Sequence, residues 1–587
     1  MKKSINLGIF FLYILPGIIF CIYFIYRGSF ETPYGRQFTL SDTSMVSMTY
    51  AKTFINTGQL IWYEGAERVQ GFSNFLYTIF FAFLHLFKFS YSINSLIVSS
   101  INVVVLVLIS YKVVTLCNIF NSKNLHFNYF LGALVFFQYP LVFWSLRGYE
   151  VGVLTLITIT VIERLFKINE RNKIESFKEF YVLLFYLSLG IWITLDFLIV
   201  ALTITLYTTI FLRKKIESYE YLIYFNLGIF FSIFLLLALQ HSYYGDYFPN
   251  TFYLETGGFY LIEKIPRGII SSFKIFPILL IQIYLFIKNL YDKSYTKNLH
   301  LVLLISTTLI VYNILEGGDN WEVYGFANRK LTLLIPVGLV VVSFIEENKF
   351  FSSNKLLNIL FSILLIFGVF LQQLSILKII NINISNFYLS RFEITYITVS
   401  CLAILLLIYK KYSNYLIALL FTIFISFTHI NYLVNTELQI SSTEFLNTQI
   451  GIELKNFTTK DAKIGVLWAG NIAYYSERNM IDFLGKSDKY IAKSEPIRVQ
   501  NKNKYNITDF DPGHNKWNFQ YSIGELSPDV IIRTWDDLEF YEQIKKNGYE
   551  KICVVFKDPF DSEEMEIYIK KGSSKVIKEN IIFCKDK

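Results

Sequence analysis

Histidine, cysteine, proline and charge are all scarce in this chain. Only six of its 587 residues are histidine, and of these only His514 lies in the polar C-terminal region, so a soluble domain built around a histidine-rich zinc site is excluded. Of five cysteines, Cys21, Cys117 and Cys401 lie in or beside apolar runs, and none has metal-ligand spacing. Cys553 and Cys584 fall in the C-terminal region and could pair if that region lies outside the cytoplasm. Eleven prolines and 29 glycines leave long stretches free to be helical. Charged residues make up 17% of the chain against 53% hydrophobic, which excludes an ordinary soluble fold. The net charge of +8 comes from short Lys and Arg clusters between apolar runs, not from one basic face. That pattern reports membrane topology and excludes a nucleic-acid partner.

What is present is a series of apolar runs able to cross about 30 Å of hydrocarbon. They lie near 5–26, 93–116, 128–146, 149–166, 219–241, 267–288, 299–315, 331–346, 355–377, 393–409 and 413–435. The first is too long for a signal h-region and reads as a retained span. The run 178–212 is too long for one span and has basic loops on both sides, 164–178 and 213–215. It reads as a hairpin of two short spans with an outward tip at Thr194, Leu195 and Asp196. Segment 73–89 is expected to lie re-entrant or interfacial. This gives a polytopic, all-α membrane bundle of about thirteen helices, N-terminus cytoplasmic. Asp42, Glu64, Glu67, Glu150, Asp196, Asp246, Glu316 and Asp319 then fall on the outer face, where carboxylates at span ends must be wet, paired or functional.

From about residue 440 the pattern changes. AKIGVLW, PDVIIRT and KICVVF read as strands, and DDLEFYEQIKKNG as a helix stopped by glycine. The expected organisation is a membrane domain over 1–438 and an extracytoplasmic soluble α/β domain over 439–587, with no internal repeat.

The first outer loop, 27–72, is unusually long for a connection. Thr43 to Asn56 has helical spacing, as of an amphipathic helix on the membrane, with Ser41 and Asp42 at its N-cap. Asp42 either caps that helix or acts as a general base.

The run Asp42, Tyr50, Ala51, Gly58, Leu60, Trp62, Gly65, Glu67, Arg68, Val69, Gly71, Phe72, Asn74, Phe75 and Leu76 resembles the first-loop signature of GT-C membrane glycosyltransferases. The similarity is greatest to the terminal arabinofuranosyltransferase-like group. Further elements of that group follow in order: WSLRGYE (144–150), TLD (194–196), GDYFPNT (245–251), GGDNW (317–321) with Arg329 and Pro336, DFLG (482–485), Asp488, and PGH (512–514). The chain departs from the pattern at Thr43, where a second acid stands, at Thr49 and Thr194, where arginines stand, and at Tyr63 and Glu64, which replace Asn-Pro.

The resemblance implies transfer of a sugar from a polyprenyl-phosphate-linked donor to a cell-envelope glycan or glycolipid, at the outer face of a bacterial inner membrane. It makes Asp42 the expected catalytic base. The expected binding residues are Tyr50, Glu67, Arg68, Asn74, Arg147, Glu150, Asp196, Asn250, Asp319, Arg329, Lys330 and His514. Arginine grips phosphate through paired hydrogen bonds, which is the reason to single out Arg68, Arg147 and Arg329. No cofactor is fixed by the sequence; a divalent cation is left open, weakened by loss of the second acid at Thr43. The alternatives are a transporter or flippase, which would favour broken helices in related halves, and a lipid-linked polysaccharide ligase.

Overall fold

The computed structural model describes residues 5–32, 35–120, 124–171, 173–174, 177–216, 218–291, 297–319, 328–347, 356–358, 360–361, 363–364, 440–498, 510–532, 537–556, 563–581 and 583. The first span, α1 (Leu7–Arg27), leads through a short antiparallel hairpin, β1 (Phe30–Thr32) and β2 (Gly35–Gln37), into α2 (Asp42–Thr57). Gly58 ends α2 in the left-handed region at φ 73°, with its N–H on the Phe54 carbonyl. The membrane part continues with α3 (Phe75–His85), α4 (Tyr91–Phe120), α5 (Leu125–Ala133), α6 (Tyr139–Leu146), α7 (Val151–Glu170), α8 (Lys178–Ile193), α9 (Leu198–Tyr207) and α10 (Glu220–Tyr244). Then come α11 (Asn250–Thr256), α12 (Leu261–Ser272), α13 (Phe276–Tyr291), α14 (Lys297–Glu316), α15 (Arg329–Thr332) and α16 (Leu334–Glu347).

Among the described residues, five helical stretches are long and apolar enough to cross a bilayer, or six if a bent pair counts as one span. This is the build of a multi-pass membrane protein. On α10, Phe230, Phe231 and Phe234 point outward, the arrangement of a lipid-facing surface. The expected count of about thirteen is not reached among these residues: α8, α13 and α16 are shorter, at 16, 16 and 14 residues, and most of the expected span 355–377 lies outside the described residues. The expected spans at 393–409 and 413–435 lie outside the described residues.

Three expectations are revised. The run 128–146 is not one straight span but α5 and its 3-10 extension followed by α6, bent by 54°. Pro140 has no N–H to give the Phe136 carbonyl, so a continuous helix would lose a bond and clash there, and Gln138 turns extended instead. The run 267–288 is divided, α12 ending at Ser272 and α13 beginning at Phe276. Helix α2 does not lie on a membrane surface: eleven of its sixteen residues are buried, because the C-terminal domain covers it. The hairpin tip is where charge placed it, with Thr194 extended between α8 and a 3-10 turn that opens α9. At 11 residues α3 is about 16 Å long, too short to cross.

The C-terminal region comprises α17 (Ile440–Phe457), β3 (Lys463–Val466), α18 (Asn471–Ser476), β4 (Asn479–Asp482), α19 (Lys489–Lys493), β5 (Val530–Ile532), α20 (Leu538–Lys546), β6 (Tyr549–Phe556) and β7 (Glu563–Lys570). The sheet order is β4-β3-β5-β7-β6, with β3 parallel to both neighbours and β7 antiparallel to β5 and β6. One apolar cluster joins Ile464, Val466, Val530 and Ile532 of the sheet to Val46, Tyr50, Trp62 and Phe72 of the first loop. The domain is therefore cored in part by the loop that the sequence singled out. A second cluster around Phe483, Phe519, Ile531 and Phe540 belongs to the domain alone. Cys21 and Cys117 are free and buried; Cys553 is disulfide-bonded, while position 584 lies outside the described residues.

Candidate active site

The contact between loop and domain is closest at Asp42. Its Oδ1 accepts from the backbone N–H groups of Gly470 (3.1 Å) and Asn471 (3.0 Å), where α18 begins. Burial pushes the Asp42 pKa up, against the charge of Lys486 and these two amides. A Cβ at position 470 would stand 1.8 Å from the Asp42 carbonyl oxygen, so only glycine permits this approach. Gly470→Ala is expected to cost about 1–3 kcal/mol and to loosen the domain; thermal melting and limited proteolysis at the 440–470 region check this.

A cavity of about 210 Å³ opens beside this contact. Its walls come from the start of α2 (Thr43, Ser44, Ser47), from Gly71 to Asn74, from Tyr149 and Glu150, and from Thr194 to Asp196. They also come from α11 (Glu255), from Tyr312, Glu316, Asp319 and Arg329, and from the C-terminal domain through Lys486, Pro512, Gly513 and His514. Carboxylates scattered from 150 to 319 in the chain thus meet in one place, at the end of the bundle that the C-terminal domain covers.

Each charge has a distinct setting. Arg329 forms a two-point bond with Asp319, Nε to Oδ2 at 2.8 Å and Nη2 to Oδ1 at 3.0 Å, and lies 5.4 Å above the Tyr149 ring. Burial works to raise the Asp319 pKa, but the charge and hydrogen bonds of Arg329, with Lys330 nearby, override it and hold the carboxyl at about 2. Lys330 bonds Glu316 and lies 3.5 Å from Asp196, which also accepts from the Tyr312 hydroxyl (2.9 Å). Glu150 accepts from Asn74 Nδ2 (3.0 Å), and Asn74 Oδ1 in turn accepts from Ser47 (2.7 Å). Glu255 has no hydrogen bond or ion pair among the described residues; burial raises its pKa, with Lys330 opposing. His514 lines the cavity with Nδ1 3.2 Å from the Pro512 carbonyl, and burial lowers its pKa.

A hard cation needs several oxygen ligands. Here Glu316 and Asp196 are engaged by Lys330, and Asp319 by Arg329. Among the described residues no group of three or more His, Cys, Asp or Glu could hold a metal ion. Among the described residues the lining carboxylates do not form a ligand set for a divalent ion.

Of the residues expected from sequence, Asn74, Glu150, Asp196, Asp319, Arg329 and His514 line this cavity, and Lys330 lines a small adjoining one. Asn250 lies just behind, tying α11 to the Gln70 carbonyl through its N–H (2.9 Å) and to the Gly485 carbonyl through Nδ2 (3.1 Å). Tyr50 is buried behind the wall with its hydroxyl on Ser487 (3.2 Å). Four lie elsewhere. Asp42 is turned to α18 and is not among the lining residues; Glu67 and Arg68 are exposed, Arg68 5.0 Å above the Tyr243 ring. Arg147 is buried outside the lining, with no hydrogen-bond partner for Nε or Nη2 among the described residues and Phe24 beneath it. Two lining residues are not among those the sequence singles out: Glu255, in the short helix α11 away from the ends of the apolar runs, and Lys486, directly after the DFLG element.

The turn that carries Lys486 is held from within. Asp482 Oδ1 accepts from the Leu484 N–H (3.0 Å) and Oδ2 from the Ser487 N–H (2.8 Å). Burial pushes Asp482 up to about 6. The native state therefore binds this proton more tightly than the unfolded chain, so the contribution is full below about pH 4 and is lost as pH rises toward 6. Melting of the wild type is expected to weaken over that window by about 2 kcal/mol relative to Asp482→Asn, whose melting lacks this slope.

The domain of unknown function DUF8728 matches residues 432–568. No curated protein matches the chain in sequence. Among solved structures the chain is similar to ArnT from Cupriavidus metallidurans bound to undecaprenyl phosphate, with TM-score 0.51 and 8% identity over 97% of this chain and 99% of that one. It is also similar to apo ArnT from the same organism (0.49, 10%, 96% and 98%). A third is the apo Archaeoglobus fulgidus oligosaccharyltransferase (0.49, 9%, 96% and 75%). Both proteins are GT-C glycosyltransferases. At 8% identity the likeness to lipid-bound ArnT is one of fold.

Proposed function

We propose that the protein is a glycosyltransferase that moves a sugar from a polyprenyl-phosphate-linked donor to a cell-envelope glycan or glycolipid. The proposal places it in a bacterial inner membrane with the C-terminal domain on the periplasmic side. The observation that carries the reading is the cavity: carboxylates, an arginine and a lysine from far-apart segments converge where apolar helices end. The ordered motifs shared with the arabinofuranosyltransferase-like group support it, since six of the expected residues line that cavity. The fold shared with ArnT, a protein seen with undecaprenyl phosphate, supports a lipid-phosphate donor. A disulfide-bonded Cys553 supports an extracytoplasmic domain.

In the proposed reaction the acceptor hydroxyl oxygen bonds to the anomeric carbon, and the bond from that carbon to the phosphate oxygen breaks. The electron pair leaves with the polyprenyl phosphate, and the hydroxyl proton passes to a carboxylate. Glu255 suits that role. It lines the cavity, forms no ion pair among the described residues, and burial makes it a stronger base than an exposed carboxylate. Asp42, with Oδ1 committed to α18, serves instead to fix the start of α2 against the C-terminal domain.

The test mixes membranes carrying the protein with a panel of polyprenyl-phosphate sugars and acceptor glycans, followed by mass spectrometry. A mass gain of one sugar residue from one donor is expected. Incorporation equal to protein-free membranes across the panel would overturn the proposal.

A further inference from the structure

We propose that Lys486, a residue of the C-terminal domain, is the cation that receives the phosphate of the lipid-linked donor. The proposal rests on the transferase reading and adds that the active site is incomplete without this domain.

Most cations around the cavity are already occupied. Arg329 is taken by Asp319, and Lys330 by Glu316 and Asp196. Arg68 is exposed elsewhere and Arg147 lies outside the lining. Lys486 alone of the cavity-lining cations forms no ion pair among the described residues; its Nζ makes only a long bond of 3.4 Å to the Thr43 hydroxyl. Its charge is felt at Asp42 and Asp482, yet both carboxylates give their hydrogen bonds' acceptor oxygens to backbone amides. A half-buried ammonium with carboxylates near it but no ion pair within 4 Å among the described residues is incompletely satisfied, and a phosphate supplies both charge and acceptors.

The second observation is what Lys486 faces. Thr43 and Ser44, in the first turn of the 16-residue helix α2, line the same cavity, and the N-cap Ser41 makes no side-chain bond to the first-turn amides. The positive end of α2 and the ammonium therefore meet at one wall, a combination suited to an anion. Glu255, Asp196 and Glu316 enter the lining from other segments, so the walls are not uniform in charge. The third is rigidity. A Cβ at Gly71 would meet the Ser487 hydroxyl at 2.6 Å and the Lys486 carbonyl at 2.9 Å, so the first loop presses on this turn. Tyr50 and Asn250 bond it from two further elements, and Asp482 braces it from inside.

The test uses the full-length protein in nanodiscs, with undecaprenyl phosphate as probe and undecaprenol as the uncharged control, read by native mass spectrometry. Wild type is expected to prefer the phosphate. Lys486→Gln is expected to weaken phosphate binding about 10- to 100-fold and leave undecaprenol binding unchanged, while Lys486→Arg retains most of it. Amine footprinting of the wild type needs no variant to fold: undecaprenyl phosphate, but not undecaprenol, is expected to protect Lys486. Tight phosphate binding by Lys486→Gln, or no protection of Lys486 in a wild type that binds the phosphate, would overturn the assignment and leave the transferase reading standing. Absence of phosphate preference in the wild type would overturn both.

Discussion

Replacing Glu255 by glutamine is expected to lower sugar transfer by about 100- to 10,000-fold without changing the melting temperature. The amide keeps the shape of the side chain but cannot take the acceptor's proton. Because Glu255 makes no hydrogen bond or ion pair among the described residues, little native structure depends on its charge. Asp42→Asn should behave in the opposite manner. It leaves the cavity lining intact but weakens the bonds to Gly470 and Asn471, so it should show first as a less stable domain contact. A variant pair measured for both turnover and melting separates the two roles. If Asp42→Asn abolishes transfer at unchanged stability while Glu255→Gln transfers normally, the base is Asp42.

The second large effect concerns the Asp319 and Arg329 pair. Asp319→Asn removes a charge whose side chain is only 4% exposed and leaves the Arg329 guanidinium, at 18%, without its two-point partner. Breaking such a pair is expected to cost about 3–5 kcal/mol, read as a lower melting temperature, and to collapse the wall between Glu150 and Glu316. The same pair predicts an acid limit. Asp319 is held at about 2 in the folded state, below its unfolded value, so its contribution is present above about pH 4 and is lost as pH falls toward 2. Wild type and Asp319→Asn should therefore converge in stability at the acid end.

Much of this arrangement is legible in the sequence. Loop charges alone put the hairpin tip at Thr194, and the helical spacing after Ser41 gave α2. Of the eight acids that topology groups on one face, Glu150, Asp196, Glu316 and Asp319 line one cavity, while Asp42, Glu64, Glu67 and Asp246 are not in its lining. What could not be read was which side chain faces which. A carboxylate at the start of a helix looks the same in sequence whether it caps its own helix, serves as a base, or, as with Asp42, binds the amides of a helix more than 400 residues later. Arg68 and Arg147 have the right chemistry for phosphate, but one is held out over Tyr243 and the other is sealed against Phe24. Lys486 and Glu255 were invisible for the converse reason: each is an ordinary loop or short-helix residue until the C-terminal domain folds over the bundle. The bend at Gln138 was announced by Pro140, but the apolar run around it carries a span signal strong enough to mask the break.

The most direct test of the account is a cryo-electron microscopy structure of the full-length protein with a non-transferable polyprenyl-phosphate sugar analogue. The account predicts density for the sugar and phosphate in the cavity bounded by Ser44, Glu255, Asp319 and Lys486, with the phosphate on the Lys486 side and the lipid tail running to the bundle surface. Density for that headgroup outside this cavity, with its walls unchanged, would contradict the account.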